Sequence, residues 1–210
     1  MREPAAPEDG YRSITALQRD LGACRRCLEA GYPIEPPPVV HRVDTRRAYL
    51  FGLAPGAVES ERGLPWQGRA GATLRRWLRM DEGEFFASFY CASVTRCYPG
   101  KDPSGRGDRA ATAAEQSLCA SWTEGELRLL QPALVVTVGL TPARRLLRLR
   151  SLAEGVGKSY LLNDAIAVPL PHPSGASAWL NDTVNRARLG KALTHVRREL
   201  ARLSDRPGVP

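Results

Sequence analysis

No apolar run in this 210-residue sequence approaches the ~18 residues that a membrane span requires. The opening MREPAAPEDG lacks both the basic start and the apolar stretch of a secretory signal. These absences exclude a membrane-spanning helix and make a cytoplasmic location the expectation. Acidic residues are outnumbered by basic ones, 22 against 30, which leaves a formal charge of +8. That balance suits a polyanionic partner, because counterions released from phosphates drive nucleic-acid binding. Charge alone decides little, since arginine dominates the basic residues and many basic proteins of arginine-rich proteomes bind no nucleic acid. At 43 % hydrophobic, the chain can bury one sizeable core, and its length fits one domain.

A disulfide framework is not expected of five cysteines in a cytoplasmic chain, so metal binding or burial must account for them. Cys24 and Cys27 form a CxxC in GACRRCLEAG, while Cys97 and Cys119 stand much later with 21 residues between them. This is not the paired-knuckle spacing of a zinc ribbon. One CxxC with two dispersed cysteines better suits a four-thiolate iron–sulfur cluster that ties the N-terminal segment to the middle of the fold. Zinc and reduced, unliganded thiols are the alternatives. Cys91, inside the apolar run FYCASV, reads as a small buried hydrophobe.

Strand-like apolar runs occur at AYLFGL (48–53), FYCASVT (89–95), ALVVTVGL (133–140) and AIAVPL (165–170). Helix-like stretches lie between them at 72–80, 111–131 and 141–150, and an amphipathic helix over 185–203 closes the chain. Thr141 suits the N-cap of the third stretch and Pro142 its first turn. The alternation predicts a single three-layer α/β/α domain over 11–204 with a central, mainly parallel four-stranded sheet. Residues 1–10 and 205–210 read as disordered tails. In such a fold the working crevice lies beyond the carboxyl ends of the strands. The two most unusual loops, after the first and fourth strands, fall at that rim.

One of them is PLPHPSGASAWL (169–180), where His172 stands between two prolines and is followed by very small residues. The prolines restrict the histidine backbone, and the small residues let another molecule approach closely. The other is GLAPGAVESERGLPWQGRAGATL (52–74), rich in glycine but matching neither a Walker A loop nor GxGxxG. His41 and His195 have no comparable setting and are expected at the surface.

Several ordered motifs together carry a resemblance. GLAPG (52–56), Glu59 and GLPWQGRAG (63–71) resemble the first motif of the uracil-DNA glycosylase superfamily, above all of its iron–sulfur families 4 and 5. VTRCYPG (94–100) resembles the stretch that delivers the third cluster cysteine, and HPSGAS (172–177) the second catalytic motif. VVTVGLTPARRLL (135–147) is similar to the third strand and following helix. The likeness runs from about Cys24 to about Leu200.

The resemblance implies a monofunctional DNA repair glycosylase that flips a deaminated base, hydrolyses its N-glycosidic bond and leaves an abasic site. It further implies a 4Fe-4S cluster on Cys24, Cys27, Cys97 and Cys119, a structural one, because the chemistry transfers no electrons. Cleavage leaves negative charge on the departing base, so preorganised donors aimed at that base matter most. His172 is then the donor, and Glu59 the candidate for positioning water. Gly52, Leu53, Ala54, Gly56, Trp66 and Ser93 would form the base pocket, with Trp66 in the place of a phenylalanine that stacks on the flipped base. Such stacking contributes ~1–3 kcal/mol per base. Ser174, Gly175 and Ser177 would meet the DNA backbone, and Arg69, Lys101, Arg106 and Arg109 could follow its phosphates. A monomer bound to DNA carrying a damaged base is the expected assembly.

Departures from the pattern bear on specificity. Ser93 stands where the family usually has an asparagine that reads the Watson–Crick edge, so a range wider than uracil is possible. Leu53 replaces the acidic residue of GEAPG, and Ala54 stands where another family has a water-orienting aspartate. The alternative function is therefore a non-catalytic DNA-lesion or single-strand binding protein that retains the fold. A more distant one is an iron–sulfur redox protein. No lysine is placed to argue for a Schiff base and strand cleavage.

Overall fold

A computed structural model describes residues 10–43, 48–105, 107–174 and 178–205. Two short N-terminal helices, α1 (Ile14–Gly22) and α2 (Arg26–Glu29), precede the first strand, β1 (Ala48–Gly52). Helices α3 (Ala57–Arg62), α4 (Arg69–Leu78) and α5 (Glu82–Ser88) lead to β2 (Phe89–Ser93). Then come α6 (Ala113–Leu118), α7 (Ala120–Leu130), β3 (Leu134–Val138), α8 (Leu140–Leu147) and α9 (Leu152–Gly155). The chain closes with β4 (Tyr160–Leu162), β5 (Ala165–Leu170), a 3-10 turn and the long α10 (Thr183–Ser204).

The strand order is β2-β1-β3-β5-β4, with the first four strands parallel and β4 antiparallel to β5. The expected four strands form as read, and a fifth extends the sheet. Strand β4 spans three residues, is partly exposed and returns through a tight turn with Asn163 at φ 51°. A run this short, with Leu161 three-quarters exposed, offers no sustained alternation or apolar block to read.

Strands β1 and β3 are buried along their whole length, as expected for parallel strands covered on both faces. Their side chains alternate between two cores. Leu50, Phe89, Val136 and Val168 join Leu74, Leu78, Phe85 and Val196 on the side of α4, α5 and α10. Tyr49, Phe51, Tyr90 and Val135 face the other way, against Leu17, Leu21 and Trp122 of α1 and α7. This is the three-layer arrangement, and it places Gly52, Ser93, Val138 and Leu170 together at one end of the sheet, with Gly52 opposite Ser93 and Val138 opposite Leu170.

Two helices differ from expectation. The stretch 111–131 is broken at Cys119, which ends α6 and begins α7. The helix after β3 begins at Leu140 behind Gly139, whose φ of 95° favours glycine, so Thr141 lies inside the first turn and does not cap it. His41, expected at the surface, is buried at 7 % exposure, and its Nδ1 accepts the Cys91 backbone N–H at 3.2 Å. Cys91 is buried as expected.

Candidate active site

At the carboxyl end of the sheet a cleft of about 1580 Å³, its open mouth included, is lined by Gly52, Leu53, Ala54, Gly56, Glu59, Trp66, Arg69, Ser93, Lys101, His172 and Ser174, among others. Residues from both unusual loops thus meet in one place, as does the end of β2. Gly175, Ser177 and Arg106 lie outside the described residues.

Two hydrogen bonds beyond the sheet fix the first loop: Val94 N–H donates to the Gly52 carbonyl at 3.0 Å and Thr95 N–H to that of Leu53 at 3.1 Å. The loop then folds into α3 and α4, and Glu59 holds the two helix starts together. Its Oε2 accepts the Gly56 N–H at 3.1 Å and its Oε1 the Gly68 N–H at 2.7 Å. These are orphan donors at helix N-termini, where a negative charge is favoured. Both oxygens of the carboxylate proposed to position water are therefore engaged by the backbone.

Trp66 has a left-handed φ of 58°, unusual for so bulky a residue. Two neighbours hold it there. A Cβ on Gly71 would fall 1.8 Å from the Trp66 carbonyl oxygen, so only glycine allows this approach. Arg75 donates to the same oxygen at 2.9 Å and pairs with Glu82 at 3.2 Å. The indole edge lies over Gly52, 3.0 Å from where a Cβ would stand, so the bare strand end makes room for the ring.

The Ser93 hydroxyl donates to the Thr95 carbonyl at 2.7 Å. With its proton so used, Ser93 presents acceptor lone pairs to the cleft. His172 is organised by the next turn. Ser174 N–H donates to its Nδ1 at 3.2 Å, and the Ser174 hydroxyl lies 2.9 Å from the same nitrogen. Nδ1 is assigned as the acceptor from this network, so the neutral ring carries its proton on Nε2. Burial lowers the His172 pKa below the usual 6.5, against a smaller opposing pull from Glu59. The imidazole is thus neutral at pH 7 with one N–H left to offer.

The loop after Cys97 forms a small hairpin, with Lys101 and Asp108 in an antiparallel bridge. Arg109, expected to follow DNA phosphates, is instead committed within the protein. It donates to both oxygens of the fully buried Glu115 at 2.7 and 2.9 Å and to the carbonyls of Pro99 and Pro33 at 2.8 and 3.2 Å. Lys101 and Arg69 remain exposed at the cleft mouth. The hairpin also brings Asp108 into the cleft lining, a residue that the sequence analysis does not single out. Its signal was hidden because nothing in GRGDR shows where a hairpin folds back.

Away from this cleft, Cys24, Cys27, Cys97 and Cys119 are all buried around one small apolar cavity, with Leu21, Ile34 and Trp122 in its wall. The Cys27 and Cys119 thiols hydrogen-bond to each other, which lowers the Cys119 pKa and raises that of Cys27. Burial raises those of Cys24 and Cys97, the latter to about 12. Among the described residues no three His, Cys, Asp or Glu side chains are gathered tightly enough to hold a metal ion. The thiols surround a space rather than converge on a point.

Under the cavity runs a buried polar network missed from the sequence. Arg96 donates to Glu126 at 2.7 Å and to Thr123 at 3.0 Å, and Tyr49 and Tyr90 donate to Glu126 at 2.6 and 2.8 Å.

The comparisons with known proteins agree with this geometry. The family model described as uracil DNA glycosylase superfamily matches residues 41–197, about three quarters of the chain. A type-4 uracil-DNA glycosylase of Thermotoga maritima is 30 % identical over 99 residues, which cover 47 % of this chain and 47 % of that protein. The matched segment thus spans about half the length of this curated relative. With the family's motifs gathered at the carboxyl end of a mainly parallel sheet, and the family model matching most of the sequence, this chain belongs to the uracil-DNA glycosylase superfamily.

Proposed function

We propose that the protein is a monofunctional DNA glycosylase that takes a flipped, deaminated base into the cleft and hydrolyses its N-glycosidic bond, leaving an abasic site. The observation that carries this reading is the His172 network. A neutral imidazole, fixed through Nδ1 and lining the cleft, has only Nε2–H to donate, and a donor there stabilises the anionic departing base. Trp66 supplies the stacking face, and its locked backbone limits reorganisation on binding. Ser93 accepts from an N–H on the Watson–Crick edge, a looser reading than a side-chain amide makes, so uracil and related deaminated bases are all candidate substrates. Lys101, Arg69 and Ser174 at the rim would contact the backbone, as would Arg106, Gly175 and Ser177.

The cysteine cavity fits a 4Fe-4S cluster in donor type and number, since it offers four thiols in an apolar enclosure. Held by Cys24, Cys27, Cys97 and Cys119, the cluster would cross-link α1 and α2 to the segments around β2 and α7 and take no part in base release. The protein would work as a monomer on DNA in the cytoplasm.

The binding-only alternative, which rests on Leu53, Ala54 and Ser93, draws further support from the engagement of both Glu59 oxygens by backbone N–H groups. A single assay separates the readings. Labelled single- and double-stranded oligonucleotides carrying uracil, hypoxanthine or xanthine are incubated with the protein, and hot alkali reveals abasic sites. The expected result is cleavage on at least one substrate, reduced about 10²- to 10³-fold in His172→Ala, the usual cost of losing an oxyanion donor. Binding without cleavage on every substrate would leave the lesion-binding reading in its place.

A further inference from the structure

GLAPG (52–56) contains no acidic residue that could activate water. We propose that Asp108 is the catalytic residue that positions and deprotonates the attacking water, an inference that rests on the glycosylase reading above. Three observations converge on it. First, Asp108 lines the same cleft as His172, Trp66 and Ser93. Its Oδ2 lies 3.2 Å from where a Cβ on Gly56 would stand, beside the start of α3 and across from Glu59. The absence of a side chain at Gly56 is what lets the carboxylate reach this far.

Second, Asp108 is held but not consumed. Tyr98 donates its hydroxyl to Oδ1 at 2.8 Å, and Lys101 approaches the same oxygen at 3.5 Å. Among the described residues Oδ2 has no hydrogen-bond partner, so one oxygen is free to accept a proton. Glu59 has no comparable freedom, since each of its oxygens accepts a backbone N–H.

Third, the hairpin is anchored. Arg109, the next residue, donates hydrogen bonds to Glu115, Pro99 and Pro33. The bridge to Lys101 closes the other side. An anchored carboxylate of this kind loses little entropy when it orders a water.

In the step assigned to it, the C1′–N bond breaks and its electron pair leaves on the base, which His172 Nε2–H stabilises. The oxygen of water forms the new bond to C1′, and one water proton passes to Asp108 Oδ2. That proton then leaves through solvent to the released base, so the carboxylate is regenerated. No redox partner is needed.

The test is single-turnover excision by Asp108→Asn, on the oligonucleotide that the wild type cleaves, beside its affinity for the same oligonucleotide and its melting temperature. Asparagine keeps an acceptor for Tyr98 but cannot take the proton. The expected result is a rate about 10²- to 10⁴-fold lower, the range for a lost general base, with affinity and melting unchanged. Tyr98→Phe, which frees Oδ1 without removing the carboxylate, should slow excision less. An Asp108→Asn variant as fast as the wild type overturns the assignment while leaving the glycosylase reading intact, as does an equal loss in both variants. A wild type that releases no base from any substrate overturns the glycosylase reading, and this assignment with it.

Discussion

His172 shows how one side chain is prepared by its surroundings. Two prolines limit its backbone, Ser174 fixes its tautomer, and burial keeps it uncharged. The same burial has a consequence for stability. Because its folded pKa is lowered, the unfolded chain takes up a proton at this site before the folded one does. The contribution is fully present above about pH 6.5, the ordinary histidine value, and is lost as the pH falls from there towards the folded value. Urea unfolding of the wild type and His172→Gln between pH 7.5 and 5 should show a shallower acid loss in the variant. Equal slopes would place the titration elsewhere. Trp66 was legible as an aromatic of the first unusual loop, but its left-handed backbone was not. That conformation depends on contacts from Gly71 and Arg75, five and nine positions onward, once α4 has folded back beneath it.

The elements were read well where burial is continuous and poorly where partners are remote. The four long apolar runs became β1, β2, β3 and β5 because parallel strands covered on both faces need uninterrupted apolar sequence. The helix over 111–131 was read as one because its composition never changes. The break falls at Cys119, whose thiol hydrogen-bonds to Cys27, far away in sequence. Tyr49 and Tyr90 of the sheet and Arg96, just beyond β2, all meet Glu126 of α7, and the Arg96–Glu126 pair has both side chains at most 3 % exposed. Breaking a buried pair leaves the other charge uncompensated and costs about 3–5 kcal/mol. Arg96→Met should therefore lower the unfolding free energy extracted from urea titration by that amount, and Arg96→Met with Glu126→Gln should recover part of it. A single variant as stable as the wild type would mean that the charge is solvated in solution.

For the whole molecule, the two specialised regions lie in different parts of one fold. The cleft occupies the carboxyl end of the sheet, and the cysteine cavity sits between the N-terminal helices and α6–α7. If the cavity holds a cluster, its binding free energy is part of the folding free energy. Anaerobically prepared protein should then contain iron and acid-labile sulfide and absorb near the visible region, and Cys97→Ser should lose both signals and melt earlier. Iron-free protein that melts at the same temperature as Cys97→Ser would mean the thiols stand unliganded. The sequence by itself determined the layered α/β class, the rim location of both unusual loops and the four cysteines as a set. These follow from hydrophobic periodicity, strand polarity and residue type, all of which are local. Only the tertiary structure decided that Glu59 clasps two helix starts, that Arg109 is an anchor and that Asp108 enters the cleft. Each of those roles depends on which backbone groups and side chains distant folding brings within hydrogen-bonding reach, and no local pattern encodes that.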